Sequence, residues 1–172
     1  MKWRVIIKVE KKLLNLVDKV LPTVLFLKYV LRVHEYLKQR VIETWMWGDM
    51  LISPEEFPKM EARALHGSLL GYGKNLRDKL PRDIVICDWH YADKQSGFPS
   101  LAQMKSEGFR VLGSTFKKKK TIRNFTRYAA EYSADGMIAT TWFHVSRREW
   151  GTIDEILRYS GEFFLRYFPD DK

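Results

Sequence analysis

Three of the six tryptophans lie in segments that carry further polar residues, and two of these three have an aspartate within two positions. The three segments are Trp47-Gly48-Asp49, Asp88-Trp89-His90-Tyr91 and Thr140-Thr141-Trp142. An indole offers a large apolar face with a polar N–H at one edge. Such a face suits the apolar side of a sugar ring, and a neighbouring carboxylate can accept hydrogen bonds from sugar hydroxyls. One tryptophan is usually explained by core packing, but three at equivalent positions favour a carbohydrate-binding site.

The elements that would position these residues alternate along the chain. Apolar runs bounded by turn residues predict strands, and apolar residues at spacings of three and four predict helices. The predicted strands are 42–47, 83–89, 109–115 and 136–142, and the predicted helices are 23–40, 100–107, 121–133 and 153–164. This alternation predicts an α/β fold with a parallel sheet, preceded by an N-terminal helical segment.

Two architectures fit this order of elements. One is a doubly wound sheet, and the other is part of a (βα)8 barrel, which takes about 250 residues in full. In both, functional residues lie at the C-terminal ends of the strands, which share one edge of the sheet. Trp47, Trp89 and Trp142 end three of the predicted strands, so we expect all three at this functional edge.

Length and composition bound the class of protein. The chain has 172 residues, of which 45% are hydrophobic and 14% aromatic, so one folded domain is expected and intrinsic disorder is not. The lone cysteine, Cys87, excludes an internal disulfide and a cysteine-based zinc site, and its place in a strand predicts an inert core thiol. No apolar run approaches the roughly 18 residues that span a bilayer, so a cytoplasmic location is expected.

Other chemistries have weak signals. The histidines His34, His66, His90 and His144 are too scattered for a sequence-local metal site, so neither a metal nor another cofactor is expected. The segment Gly71-Tyr72-Gly73-Lys74 lacks the spacing of a phosphate-binding loop, and Ser114 lacks the motif around a hydrolase nucleophile.

The formal charge of +9 raises the question of an anionic partner. Its densest cluster is Lys117–Lys120, followed by Arg123 and Arg127. A solvated loop before a helix is the favoured interpretation, and no known nucleic-acid-binding motif accompanies the cluster. Nucleic-acid binding is kept as an alternative function.

The segments Trp47-Gly48-Asp49-Met50, Asp88-Trp89-His90-Tyr91 and Thr140-Thr141-Trp142-Phe143 resemble the family 20 glycoside hydrolases, the β-N-acetylhexosaminidases. The resemblance runs from about Leu25 to the C-terminus and covers the C-terminal half of that family's (βα)8 barrel. It implies release of terminal N-acetylhexosamine from glycans without a metal, by retaining hydrolysis in which the substrate's acetamido group attacks the anomeric carbon. The resemblance implies, by position, that Trp47, Trp89 and Trp142 line the pocket that holds the terminal sugar. Asp49, Asp88, His90 and Tyr91 become contacts to the sugar or its acetamido group.

The sequence departs from that family at the catalytic residues. Family members end their fourth strand with an Asp-Glu pair, but the only such pair in this chain, Asp154-Glu155, opens the last helix. The catalytic residues are therefore unassigned. Residues 1–22 form a segment of unclear origin, and residues 23–172 are expected to form the C-terminal half of the barrel. We expect a truncated enzyme with little or no activity alone. The alternative is a non-catalytic carbohydrate-binding module, either a homodimer or a partner of the missing half.

Overall fold

The computed structural model describes residues 4–7, 23–60, 71–92, 95–142 and 150–169. These residues include one parallel sheet of five strands, β1 (Arg4–Ile7), β2 (Glu43–Trp47), β3 (Val85–Trp89), β4 (Arg110–Thr115) and β5 (Gly136–Ala139). The strands lie side by side in chain order, and each neighbouring pair is parallel. The protein is therefore an α/β protein, because each parallel pair needs a crossover connection and helices lie in those connections.

Five α-helices accompany the sheet in this part of the chain. They are α1 (Thr23–Lys38), α2 (Tyr72–Lys79), α3 (Pro99–Ser106), α4 (Lys119–Glu131) and α5 (Trp150–Tyr167), with a short 3₁₀ turn at Asp49–Leu51. The helices α1 to α4 each precede a strand, and α5 follows β5. None of these helices is long and apolar enough to cross a membrane.

One face of the sheet is covered by helices. Side chains of a strand alternate between faces, and along β2 Thr44 and Met46 are buried whereas Trp45 and Trp47 are partly exposed. Met46 belongs to a core cluster with buried residues of α1 to α4, namely Phe26, Val30, Tyr72, Leu76, Leu101, Met104, Phe125 and Ala129. Four helices thus pack on the same face, which is the result of right-handed crossovers between strands in chain order. The strand reversal that defines a doubly wound sheet does not occur among the described strands.

The register assigns the other strand residues to faces. Trp47 pairs with Cys87 and Trp89 with Ser114, whereas Asp88 pairs with Gly113. A Cβ on Gly113 would lie 3.3 Å from Phe125 of α4, so Asp88 and Gly113 belong to the helix-covered face. Trp47, Cys87 and Trp89 belong to the opposite face. Cys87 is buried, as predicted, and burial raises the pKa of its thiol to about 12.

A buried arginine ties α2 to the loop that follows β2. Arg77 is 1% exposed and donates hydrogen bonds to the Leu51 carbonyl at 2.5 Å, to Glu56 at 2.7 Å and to Glu107 at 2.8 Å. Burial would lower the pKa of Arg77, but the two carboxylates outweigh it and the pKa is raised. A Cβ on Gly73 would lie 2.5 Å from the Leu51 carbonyl oxygen, so glycine alone fits this approach. The loop after β2 is therefore held against α2 by both charge and backbone contact.

The four predicted strands and their helices are confirmed with shifts of a few residues at their ends. The predicted helical segment ahead of the strand at 42–47 is confirmed as α1, but a further strand, β1, precedes it in the segment that the sequence left unassigned. The structure places Arg4–Ile7 beside β2, with Arg4 opposite Glu43. A four-residue run carries too little pattern to be recognised, and its partner is distant in sequence. The rest of the unassigned segment, 1–3 and 8–22, lies outside the described residues.

Candidate functional site

Five aromatic side chains meet at the C-terminal edge of the sheet. The Trp47 and Trp142 ring centroids are 5.7 Å apart, and Tyr91 lies 6.4 Å from Trp142, 4.7 Å from Trp89 and 5.7 Å from Phe116. We call Trp47, Trp89, Tyr91, Phe116 and Trp142 the aromatic shelf. Trp142 is 48% exposed, and the other four rings are partly exposed, so the shelf presents an apolar surface to solvent.

The strands bring these rings together from distant parts of the chain. Trp47 ends β2, Trp89 ends β3, Phe116 follows β4, and Trp142 lies three residues beyond β5. In a flat sheet, β2 and β5 would be about 14 Å apart, because neighbouring strands are spaced by about 4.8 Å. The 5.7 Å between the Trp47 and Trp142 rings shows that these two side chains meet across the ends of β3 and β4.

A hydrogen bond fixes two of the rings against each other. The Trp142 indole Nε1 donates to the Tyr91 hydroxyl at 2.9 Å. Burial raises the pKa of Tyr91, hydrogen bonds with Thr140 and Trp142 oppose the shift, and the charge of Asp49 adds to it. The phenol is consequently neutral at neutral pH and retains its proton for donation. Asp49 follows Trp47 by two residues and begins the 3₁₀ turn after β2, so it lies at the same edge of the sheet as the shelf.

The loop after β2 supports Trp89 from the side. Trp89 packs against a small buried cluster of Ile52, Phe57 and Met60. This is the loop that Arg77 holds in place through the Leu51 carbonyl. The position of one shelf residue thus depends on an ion-pair network outside the shelf.

A buried polar network lies on the helix-covered face. Ser100 of α3 donates to Asp88 Oδ2 at 2.7 Å, and His90 Nε2 lies 3.2 Å from the same oxygen and 3.1 Å from the Ser100 hydroxyl. All three residues are at most 1% exposed, and His90 packs between Phe98 and Phe125. The network anchors the end of β3 to the start of α3, because a buried carboxylate needs donors and α3 supplies one.

The structure therefore divides the predicted site residues into two groups. Trp47, Trp89, Tyr91 and Trp142 come together at the shelf with Asp49 nearby, and their binding role stays a prediction. Asp88 and His90 do not join them, because alternate residues of a strand face opposite sides and these two face the helices. Phe116 is missing from the sequence prediction, although its place directly after a strand is the signal that could have found it.

Within the described ranges, no group of three or more His, Cys, Asp and Glu side chains could hold a metal ion. The fold and site thus define a parallel α/β protein with an aromatic, carboxylate-flanked surface at the C-terminal edge of its sheet. Neither protein-family models nor curated proteins gave a match to this chain.

Proposed function

We propose that this chain is a carbohydrate-binding protein of the family 20 glycoside hydrolase type, and that the aromatic shelf holds an N-acetylhexosamine residue of a glycan. The observation that carries the proposal is the meeting of three tryptophans and a tyrosine from three strand ends beside Asp49. Indole faces stack on the sugar ring, while the Tyr91 phenol and the Asp49 carboxylate bond to its polar groups.

A partial (βα)8 barrel is the architecture that we propose for residues 23–172. Three features support it: the strands lie in chain order, the helices α1 to α4 cover one face, and the Trp142 ring beyond β5 meets the Trp47 ring at the end of β2. Barrels place their sites at the C-terminal ends of the strands, which is where the shelf lies. The strand β1 adds one unit at the N-terminal side of the sheet.

Hydrolysis by this chain alone is proposed to be slow or absent. General acid catalysis needs a carboxyl group within hydrogen-bond reach of the leaving oxygen. Asp88 is committed to Ser100 and His90 on the helix-covered face, and it is 1% exposed. Among the described residues, Asp49 is then the carboxylate at the shelf. In the family, one carboxyl group is the general acid and another orients the acetamido group, and a single carboxylate can supply only one of these two roles.

Ligand-dependent melting tests this proposal. The ligand is an N-acetylglucosamine thiazoline, which mimics the cyclised intermediate of substrate-assisted hydrolysis, and unfolding is followed by tryptophan fluorescence. At a ligand concentration of 100 Kd the native state gains about 2.7 kcal/mol. For a chain of this length we expect a rise in Tm of about 5–10 °C.

A matched pair of variants locates the site. Trp142→Ala removes a shelf ring that is 48% exposed, whereas Trp150→Ala removes a ring on α5 that is 54% exposed. We expect the thiazoline shift to vanish in the first variant and to persist in the second. An unshifted Tm in the unmodified protein, or equal loss in both variants, would contradict the proposal. Release of nitrophenol from a nitrophenyl N-acetylglucosaminide by the pure chain would contradict only the claim of weak hydrolysis.

Pairing with a second copy, or with the other half of a barrel, is the alternative that the sheet edges favour. Among the described strands, β1 pairs only with β2 and β5 only with β4. An edge strand presents backbone groups that another chain can pair with. Sedimentation as a clean monomer over a range of concentrations would count against self-association.

A further inference from the structure

The lysine cluster Lys117–Lys120, which has no part in the proposed sugar site, begins next to the aromatic shelf. Phe116, a shelf residue, is followed directly by Lys117–Lys120. The Lys117 Nζ lies 5.3 Å from the Phe116 ring centroid, and the same ring lies 5.7 Å from Tyr91. The first residue of the lysine cluster therefore borders the aromatic shelf at the C-terminal edge of the sheet.

Helix α5 adds a further cation to this cluster. The Lys119 Nζ and the Arg158 guanidinium lie 4.4 Å and 4.5 Å from the centroid of the same Tyr159 ring. Arg123 lies one helical turn beyond Lys119 on α4 and is exposed. We call Lys117–Lys120, Arg123 and Arg158 the basic rim.

Three cations of the basic rim, Lys118, Lys120 and Arg123, do not stabilise the start of helix α4. Cations in the first turn of a helix oppose the helix dipole, and the first turn of α4 contains no acidic residue. Like charges at spacings of three and four, such as Lys119, Lys120 and Arg123, repel each other. Within the part of the chain that the structure describes, Lys118, Lys120 and Arg123 make no ion pair. A bound anion would offset this repulsion.

We propose that the glycan bound at the shelf is anionic, carrying sulfate or carboxylate groups that the basic rim contacts. This inference rests on the proposed function, and it adds the chemical class of the substrate. A single sugar on the shelf does not need the rim, whereas the neighbouring sugars of a longer glycan extend over Phe116 towards Lys117.

The same combination of aromatic rings and cations also occurs in proteins that bind single-stranded nucleic acid. The ring geometry favours the glycan. The contacting shelf rings are inclined to one another by 31–61°, so they do not form parallel faces for successive bases.

Titration calorimetry with matched ligands tests this inference. The neutral ligand is chitohexaose. The anionic ligands are a hyaluronan hexasaccharide, which carries carboxylates, and a chondroitin 6-sulfate hexasaccharide, which carries carboxylates and sulfates. The nucleic-acid ligand is a deoxythymidine oligonucleotide of similar length. The variant is Lys118→Gln with Lys120→Gln. The control is Lys28→Gln with Lys79→Gln, which removes the same charge from exposed positions on α1 and α2. Both rim substitutions reduce repulsion in α4, so we expect the variant to fold.

We expect at least one of the anionic hexasaccharides to bind more tightly than chitohexaose at low salt. Two exposed ion pairs together correspond to roughly a twofold to thirtyfold preference. The preference should disappear in the rim variant and at high salt, because salt screens exposed charges, and it should persist in the control. Trp142→Ala should weaken the binding of every glycan, since all of them contact the shelf.

The remaining outcomes separate the two proposals. Equal affinity for neutral and anionic glycans, or a preference that survives in the rim variant, would overturn the anionic substrate and leave the carbohydrate site intact. No binding of chitohexaose, together with tight binding of the oligonucleotide that the rim variant loses, would overturn both. Binding of chondroitin sulfate that is insensitive to Trp142→Ala would show a separate polyanion surface, and it would overturn the continuous site.

Discussion

Replacing the buried arginine Arg77 by methionine should destabilise the protein strongly. Arg77→Met keeps much of the side-chain length and removes the guanidinium, which is 1% exposed. The change leaves the Leu51 carbonyl without this donor and leaves Glu56 and Glu107, previously held by one cation, as two uncompensated carboxylates. Both effects act on the loop that packs against Trp89.

The magnitude follows from the burial of the two carboxylates. Removing one partner of a buried ion pair costs about 3–5 kcal/mol. The side chains of Glu56 and Glu107 retain 23% and 19% of their exposure, so water can hydrate them in part. The lower end of the range therefore applies, and a loss of about 3 kcal/mol lowers the Tm of a chain of this size by about 6–12 °C.

The control is an exposed ion pair of the same helix. Lys74 and Asp78 of α2 pair through side chains that are 62% and 52% exposed, and exposed pairs contribute about 0–1 kcal/mol. Lys74→Met thus removes one positive charge at small expected cost. The free energy of unfolding is measured by urea denaturation followed by tryptophan fluorescence. Adding Glu56→Gln to Arg77→Met should restore part of the loss, because it removes one uncompensated charge.

Two results would refute this reasoning. If Arg77→Met and Lys74→Met lose the same free energy of unfolding, burial does not determine the cost of breaking these pairs. If Glu56→Gln adds a further loss in the Arg77→Met background, repulsion between uncompensated carboxylates is not the source of the destabilisation.

Three further changes test the packing and the buried groups. A Cβ on Gly113 would lie 2.6 Å from the Met137 sulfur, so Gly113→Ala should cost about 1–3 kcal/mol in thermal unfolding, and an unchanged Tm would contradict the close contact. The folded pKa of the Cys87 thiol, about 12, lies above its unfolded value of about 8.5, so its contribution to stability is complete below pH 8.5 and is lost as the pH rises towards 12. Unfolding at pH 9–12 should therefore show a loss of up to about 1.4 kcal/mol per pH unit that Cys87→Ala lacks, and equal slopes would exclude this thiol as the cause. Ser100→Ala removes a donor to the buried carboxylate and should cost about 1–3 kcal/mol in urea, whereas Ser106→Ala, at an exposed hydroxyl of the same helix, should cost much less; similar losses would argue against the network.

The sequence by itself determined the fold class and most of the elements. The run Ile84-Val85-Ile86-Cys87 is apolar throughout, as expected for a strand buried on both faces, and all four residues are buried. The helical spacing of Phe26 and Val30 likewise predicted the buried face of α1. Such patterns can be recognised in a sequence because they are local and follow from the repeat of side-chain direction along a strand or a helix.

The sequence also predicted that three tryptophans would lie at the C-terminal edge of the sheet. Parallel strands place their C-terminal ends at one edge, so this expectation for Trp47, Trp89 and Trp142 follows from topology alone. The contacts of Trp47 and Trp89 with the rest of the shelf agree with it.

Only the tertiary structure decided how the motif Asp88-Trp89-His90-Tyr91 is divided. The four residues are adjacent in sequence, but Asp88 and His90 are buried on the helix-covered face, and Trp89 and Tyr91 lie on the shelf. This division could not be predicted from the sequence, because it depends on where the strand ends and on the hydrogen bond between Asp88 and the distant Ser100. Strand β1 escaped prediction for the same reason, since its evidence is a pairing with residues almost forty positions away rather than a local pattern.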